Sequence, residues 1–398
     1  MTTEQNQCVF CTCPLTSDKL SPEHVFLSAI GGRLTTKTAL CDECNNAFAT
    51  SKTGCADGEL ANFFILPRNL LRIWTGRGQP PPTIQRAGRF DDGMEFDCAP
   101  GYVPVSRRQK SPSDLSIETS PAQTLLAVDE LDASRHLDIL KSRGYSTALV
   151  GVVQVVRKAP AIKATMNANA AAVSKSVAKL AVVAACILYG NQQVRSSVLP
   201  GLREAARFGK YPIARYVSLE YGNTWPAVAA LVPLPKYADA VASGFEHMVC
   251  YADVGDHWVA FVEFFGGFRF SVLLGNAAGL PPKGLAVNPR ATTVAPFHVT
   301  FTPPQSYRPP LTPQTTEASA KDMAGLEHAI TRVKAAWERE SLSELSEHYA
   351  AELQQQIDLV GDDEAGRAAV IEQWATKVAT LEGTGQWSEP ITLSFDEQ

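Results

Sequence analysis

The sequence lacks the features that would place the chain in a membrane or among disulfide-bonded proteins. Its longest wholly apolar run, residues 180–189, is too short to cross a bilayer. The polar residues 1–7 contain neither the basic nor the apolar region of a secretory signal. Nine cysteines is an odd number, and five of them are scattered, which fits free thiols better than a disulfide framework. We therefore expect a cytoplasmic protein with no membrane partner.

The sequence also lacks glycine-rich nucleotide loops, since it contains neither Gly-x-Gly-x-x-Gly nor a Walker loop. Its formal net charge is −5, whereas nucleic-acid-binding domains are typically basic. That charge is unevenly spread. Residues 319–398 contain six basic and sixteen acidic side chains, which leaves 30 basic and 25 acidic ones in residues 1–318. The acidic total therefore does not exclude a nucleic-acid partner for the first part of the chain.

What the sequence does contain is a pair of cysteine knuckles near its N-terminal end. Cys8 and Cys11 form one Cys-x-x-Cys pair, and after 29 intervening residues Cys41 and Cys44 form a second. Four thiolates at this spacing predict a structural zinc ion with no open coordination position. Cys13 is an alternative ligand beside the first pair, but the two-residue spacing favours Cys11. Zinc should hold the fold, and the chemistry should lie on the intervening loop.

That loop carries an acid and an imidazole, and an amide follows the second knuckle. Glu23 and His24 are adjacent, two glycines follow at 31–32, and Asn45 comes directly after the last cysteine. Phosphodiester hydrolysis requires a base that activates water and a cation that stabilises the charge on the phosphate. A neutral imidazole is a suitable base near pH 7, and a carboxylate with an amide oxygen suits magnesium. The residue types are therefore those of a metal-dependent hydrolase.

Four motifs occur in the order C-x2-C, Glu-His-Val, Gly-Gly and Leu-C-x2-C-Asn-Asn. Together they resemble the HNH endonuclease family, in its subclass with a zinc-stapled ββα-metal fold. The resemblance covers roughly the first 60 to 75 residues. It implies a DNA nuclease in which His24 is the general base and Glu23 and Asn45 bind a catalytic Mg²⁺ or Mn²⁺ ion. The family's middle Asn, which fixes the histidine loop, falls near Thr36 or Lys37 in this sequence.

Two functions remain open from the sequence. The first is an HNH endonuclease that hydrolyses DNA, in the phage-defence or mobile-element setting that the resemblance implies. The second is a catalytically silent zinc-stapled module that binds DNA or protein, because paired knuckles most often form a structural ribbon. The order in which the motifs occur favours the nuclease. Another Glu-His pair, at 246–247, has no surrounding cysteines, and we interpret it as unrelated to a site.

Basic side chains follow the cysteine motif. We expect Arg68, Arg72 and Arg77 to contact DNA phosphates, which would give non-specific, salt-dependent affinity. The alternative is that they are solvated loop charges, partly cancelled by the acids at 91–97. The other basic residues of this stretch are Arg86, Arg89, Arg107, Arg108 and Lys110.

The order of predicted elements indicates an α+β protein with five regions. Residues 1–75 form the small ββα-metal zinc module, here called the N-terminal module. Residues 76–115 are a basic linker rich in Pro and Gly with short strands, 116–302 a mixed α+β domain of unknown role, 303–318 a Pro-rich linker, and 319–398 an acidic helical tail. Apolar periodicity in the middle region predicts a helix over 167–190 and strands at 147–156, 227–234, 245–251, 258–264 and 268–274.

The acidic tail has helical periodicity over 321–381, with breaks expected near 341–343 and 361. We expect it to pack on the body of the protein or on a second copy, which would give a homo-oligomer. The charge difference between the two parts of the chain suggests an alternative, in which the tail covers the basic DNA surface and inhibits the nuclease.

Overall fold

The computed structural model describes residues 7–15, 20–50, 55–89, 95–106, 130–142, 169–220, 225–307, 309–310, 316–360 and 363–372. The chain splits into two compact units. The first consists of Met1–Pro82 and Met166–Leu342, and the second of Thr83–Thr165 and Ser343–Gln398. This division differs from the expected regions, because the N-terminal module shares a unit with most of the region expected at 116–302.

The N-terminal module has the ββα order that the motif predicts. Strand β1 (Glu23–His24) pairs antiparallel with β2 (Thr35–Thr36), and helix α1 (Asp42–Thr50) follows. The register places Glu23 opposite Thr36 and His24 opposite Thr35. Two short helices, α2 (Ala56–Phe63) and α3 (Ile65–Leu70), complete the segment. Glu23 and His24 therefore lie on the hairpin, and Asn45 lies on the first helix.

The glycine pair of the motif is required by the tight loop between β1 and β2. Gly31 has a φ of 94°, a left-handed conformation that favours glycine, and it ends the 3-10 turn Ser28–Ile30. A Cβ atom on Gly32 would lie 1.8 Å from the carbonyl oxygen of Phe26. Only glycine fits at position 32, because the loop turns back directly onto its own main chain.

The second unit contains a small sheet and a helix. Strands β3 (Ile84–Arg89), β4 (Glu95–Ala99) and β5 (Val103–Ser106) form an antiparallel sheet in that order, and α4 spans Glu130–Ser142. The strands bury Ala87, Phe96 and Cys98 as a small cluster. These elements confirm the short strands expected after residue 75.

Three helices of the first unit follow one another. They are α5 (Ala170–Tyr189), α6 (Asn191–Ser197) and α7 (Pro200–Phe208). The helix predicted over 167–190 is confirmed: the Asn169 side chain accepts a hydrogen bond from the Ala172 amide at 3.0 Å, and Gly190 ends the helix. Among the described residues, α5 alone is long and apolar enough to span a membrane, but 72% of its apolar window is buried inside the protein, as in a core helix.

The remaining strands form one seven-stranded antiparallel sheet with the order β6-β10-β9-β8-β11-β12-β7. Four of the five predicted strands in the middle region are present, and the segment predicted at 147–156 lies outside the described residues. The sequence prediction missed β6, β11 and β12. The strands are β6 (Val217–Leu219), β7 (Ala227–Pro233), β8 (His247–Val254), β9 (His257–Phe264), β10 (Phe268–Asn276), β11 (Lys283–Val287) and β12 (Pro296–Thr302).

Strand β8 supports the N-terminal module from one face of the sheet. Side chains alternate between the faces of a strand, and Met248 and Cys250 belong to the apolar core on one side. On the other side the Tyr251 hydroxyl donates to the Ala181 carbonyl of α5 at 2.6 Å. On that side His247 Nε2 lies 2.8 Å from the Ile30 carbonyl oxygen. The histidine of the 246–247 pair is therefore a core residue that joins the sheet to the module.

The C-terminal helix α8 (Thr316–Val360) is continuous, so the break expected near 341–343 is wrong. Its first part packs on the body of the first unit, as expected. Leu326, Ile330 and Val333 are buried, and the Arg332 guanidinium donates to the carbonyls of Gly244, at 2.6 Å, and Gly266. Residues 364–372 are also helical.

Burial of His247 should make folding sensitive to acid. Its Nδ1 accepts from the Phe265 amide, and burial lowers its pKa from 6.5 to about 4. Between these two pH values the unfolded chain binds a proton that the folded chain does not bind, and this favours unfolding. The contribution of neutral His247 to the free energy of unfolding is therefore complete above pH 6.5 and is lost as the pH falls towards 4. We expect a loss of about 2 kcal/mol between pH 6.5 and about 5.

Urea unfolding of the wild type and of His247→Gln at neutral and acidic pH measures this contribution. The variant should lack this part of the pH dependence, whereas His298→Gln, which changes an exposed histidine on β12, should retain it. An equal acid sensitivity of wild type and His247→Gln would contradict the assignment.

Candidate functional site

The four knuckle cysteines converge as the spacing predicts. The sulfur atoms of Cys8, Cys11, Cys41 and Cys44 all lie within 4.8 Å of one another, and those of Cys11 and Cys41 are 3.5 Å apart. Zinc–sulfur bonds of about 2.3 Å in a tetrahedron put the sulfurs about 3.8 Å apart. The cluster therefore fits one zinc ion. Cys13 is exposed and lies outside the cluster, so Cys11 is the ligand that the geometry favours.

Contacts within the cluster shift the thiol pKa values in opposite directions. A hydrogen bond with the Cys44 side chain lowers the pKa of Cys8, whereas burial raises the pKa of Cys11. The same contact with Cys8, together with burial, raises the pKa of Cys44. Arg207 Nε donates to Cys44 Sγ at 3.4 Å, which places a positive charge beside the thiolates. Zinc binding would release the remaining thiol protons.

Helices outside the N-terminal module reach its loop and its zinc ligands. The Arg207 guanidinium of α7 also contacts the Glu43 carboxylate at 3.4 Å. From α6, the Asn191 side-chain amide donates to the Thr38 carbonyl, just after β2, at 2.7 Å. Positions 36 and 37, where the resemblance places the middle Asn of the family, hold Thr and Lys in this sequence. The Asn191 side chain, from a distant part of the chain, instead holds the loop at Thr38.

The His24 ring has one nitrogen without a partner. Its Nδ1 is buried and has no hydrogen-bond partner among the described residues. Burial lowers the pKa of His24, the charges of Arg77 and Lys179 lower it further, and the Gly32 main chain partly opposes this shift. The ring is therefore neutral near pH 7, and one of its nitrogens is a proton acceptor.

Glu23 is engaged in an ion pair that the sequence analysis did not predict. Its Oε1 lies 2.6 Å from Lys179 Nζ of α5, and Asp57 Oδ2 lies 2.6 Å from the same nitrogen. Burial raises the pKa of Glu23, and the ammonium opposes that effect. Burial lowers the pKa of Lys179, but the carboxylates of Asp57 and Glu23 raise it by more, so the net shift of this pKa is upward. The sequence shows only that Lys179 lies in a largely apolar helix that also carries Lys175.

Glu23 and Asn45, the two residues expected to bind a divalent ion, differ in their burial and in their contacts. Glu23 is only 6% exposed, and the atom through which it contacts Lys179 is Oε1. Asn45 lies in the first turns of α1 with a partly exposed side chain that makes no hydrogen bond to any described residue. One carboxylate oxygen and one amide oxygen fit Mg²⁺ or Mn²⁺, which retain several of their waters.

The expected DNA-contacting arginines separate into two kinds. Arg68 is only 9% exposed, its guanidinium donates to the Ala61 carbonyl at 3.4 Å, and burial lowers its pKa to about 10. It therefore does not present its charge to a ligand, contrary to expectation. Arg72 and Arg77 are exposed, and the charge of Arg77 acts on both Glu23 and His24. Trp74, between them, is 51% exposed.

Residues 8–53 match the family model of the HNH endonucleases. The match begins at the first zinc ligand and ends just after α1, so it includes Glu23, His24 and Asn45. No curated protein and no solved structure matches the chain. The family match describes only this short segment, which is similar to HNH endonucleases.

The cysteine cluster should bind one zinc ion per chain. Cys41→Ser removes one of the four thiolates and should lose most of the zinc and much of the thermal stability, because structural zinc contributes directly to folding. Cys13→Ser is the matched control and should retain both. Metal analysis of the purified proteins checks this, and equal zinc loss in the two variants would contradict the ligand assignment.

Proposed function

We propose that the HNH segment is the active site of a DNA endonuclease and that His24 is its general base. The observation that carries the proposal is the His24 ring itself, since its Nδ1 is buried and has no hydrogen-bond partner among the described residues. A buried polar atom without a partner is costly, and such atoms are often found where function requires them. Nδ1 is therefore the atom that receives the proton of the attacking water.

The reaction is hydrolysis of a phosphodiester bond. Water attacks the phosphorus atom, its proton passes to His24 Nδ1, and the bond between phosphorus and the 3′ oxygen breaks. A divalent ion bound by Glu23 and Asn45 would stabilise the negative charge on the phosphate and on the leaving oxygen.

The nuclease is favoured over a silent zinc-stapled binding module. A module that only binds needs the zinc and the hairpin, but it has no use for a neutral imidazole with a buried, unpartnered nitrogen. The setting in phage defence or mobile DNA, the cytoplasmic location and a homo-oligomer through the helical tail remain predictions from the sequence.

Purified protein with Mg²⁺ or Mn²⁺ should nick supercoiled plasmid DNA, and His24→Ala should reduce the rate by at least about 100-fold, because general-base catalysis contributes on that order. Zinc content and thermal stability should be retained. His298→Ala is the control, since it removes an exposed histidine of β12. If the wild type and His24→Ala are equally inert with both metals, the binding-module alternative is favoured.

Alanine substitutions of the three arginines should have two different effects, one on DNA affinity and one on stability. Arg72→Ala and Arg77→Ala should each weaken binding of DNA regardless of sequence and reduce the salt dependence by about one released counterion. Arg68→Ala should instead lower the melting temperature, because its side chain is buried. Affinity measurements over a range of salt concentrations, with thermal melts, distinguish the two outcomes. An unchanged salt slope in both surface variants would remove these residues from the interface.

A further inference from the structure

An ammonium group lies in the core of the first unit, between two carboxylates. Lys179 is 1% exposed, and its Nζ contacts Glu23 Oε1 and Asp57 Oδ2, each at 2.6 Å. We call these three residues the carboxylate–lysine triad. Burying a charge is unfavourable unless it is paired, and here both partners are acidic, so the net charge of the triad is −1.

The position of the ammonium is fixed by its surroundings. Ser176, one turn earlier on α5, donates from its hydroxyl to Asp57 Oδ1 at 2.7 Å, so the second carboxylate is held as well. The ammonium lies 5.3 Å from the centre of the Phe48 ring. Val182 and Val183, on the same helix, are fully buried, so α5 cannot shift without disturbing the core. The triad therefore fixes one oxygen of Glu23 at a defined point.

We propose that Lys179 and Asp57 are positioning residues that hold one oxygen of Glu23 and thereby direct its second oxygen to the catalytic divalent ion. The proposal rests on the nuclease function argued above. Both residues lie outside the segment 8–53 that matches the HNH family. An otherwise flexible glutamate on a two-residue strand is thus oriented by a helix more than 100 positions further along the chain.

The charge of Lys179 complicates any test, because removing a cation next to a metal site could itself attract the metal. The double variant Lys179→Met/Asp57→Asn avoids this difficulty. It removes one positive and one negative charge, so the net charge around Glu23 stays at −1 while the orienting contact is lost. Methionine approximates the lysine stem, and asparagine can still accept the hydrogen bond from Ser176.

The experiment measures Mn²⁺ binding to the full-length, zinc-loaded protein by electron paramagnetic resonance, without DNA, together with the rate of DNA cleavage. Partners that orient a metal ligand typically contribute about 10- to 100-fold to metal affinity or activity. The double variant should weaken Mn²⁺ binding and lower kcat by factors in that range. In a Glu23→Gln background the same double change should have no further effect on either quantity.

Two further variants separate positioning from general stability. Val182→Ala removes buried apolar atoms of α5 without touching the triad, so it should lower the melting temperature and leave Mn²⁺ affinity unchanged. Ser176→Ala removes only the hydroxyl that holds Asp57 and should weaken Mn²⁺ binding several-fold. It provides the test should the double variant fail to fold.

The outcomes distinguish this proposal from the nuclease assignment. If the double variant, or Ser176→Ala in its place, binds Mn²⁺ as tightly as the wild type, the positioning role is overturned even where the wild type cleaves DNA. Weakened Mn²⁺ binding in a protein that never cleaves DNA supports positioning and contradicts the nuclease. Tighter Mn²⁺ binding, or no Mn²⁺ binding by the wild type, also overturns the positioning role.

Discussion

The ion pair between Lys179 and Glu23 connects the HNH-like motif to the core of the protein, and the arrangement of the site depends on it. Asp57 shares the ammonium, so strand β1 and helices α2 and α5 meet at a single nitrogen atom. Removing one partner from a buried ion pair typically costs about 3–5 kcal/mol, because an uncompensated charge remains in the core. The motif hairpin is therefore held in one position relative to α5 by a contact that is costly to break.

The N-terminal module is too small to bury a large core by itself, and it gains support in two ways. Zinc would replace part of the missing core by joining the two knuckles. The seven-stranded sheet supplies the rest, since His247 bonds to Ile30 and the Phe64 ring packs against Phe264 and Phe268 at centroid distances of 4.9 and 5.2 Å. The large sheet thus serves as a scaffold that keeps the short loop of the motif in place.

Sequence reasoning identified the features that depend on local spacing. The cysteine ligand set follows from two short intervals, and the long helix over 170–189 follows from its Ala-rich pattern with Asn169 and Gly190 at its ends. It missed what depends on distant contacts. Arg68 resembles any other arginine near a nucleic-acid site until its burial is known, and the partner of Lys179 lies 156 positions earlier in the chain. Neither fact has a local signature.

The two metal sites can be located together by anomalous diffraction from crystals grown with Mn²⁺. We expect a zinc peak enclosed by the four cysteine sulfurs and a manganese peak within bonding distance of Glu23 and Asn45, with the Lys179 ammonium still between Glu23 and Asp57. A manganese peak in place of that ammonium, or none near Glu23, would contradict this arrangement.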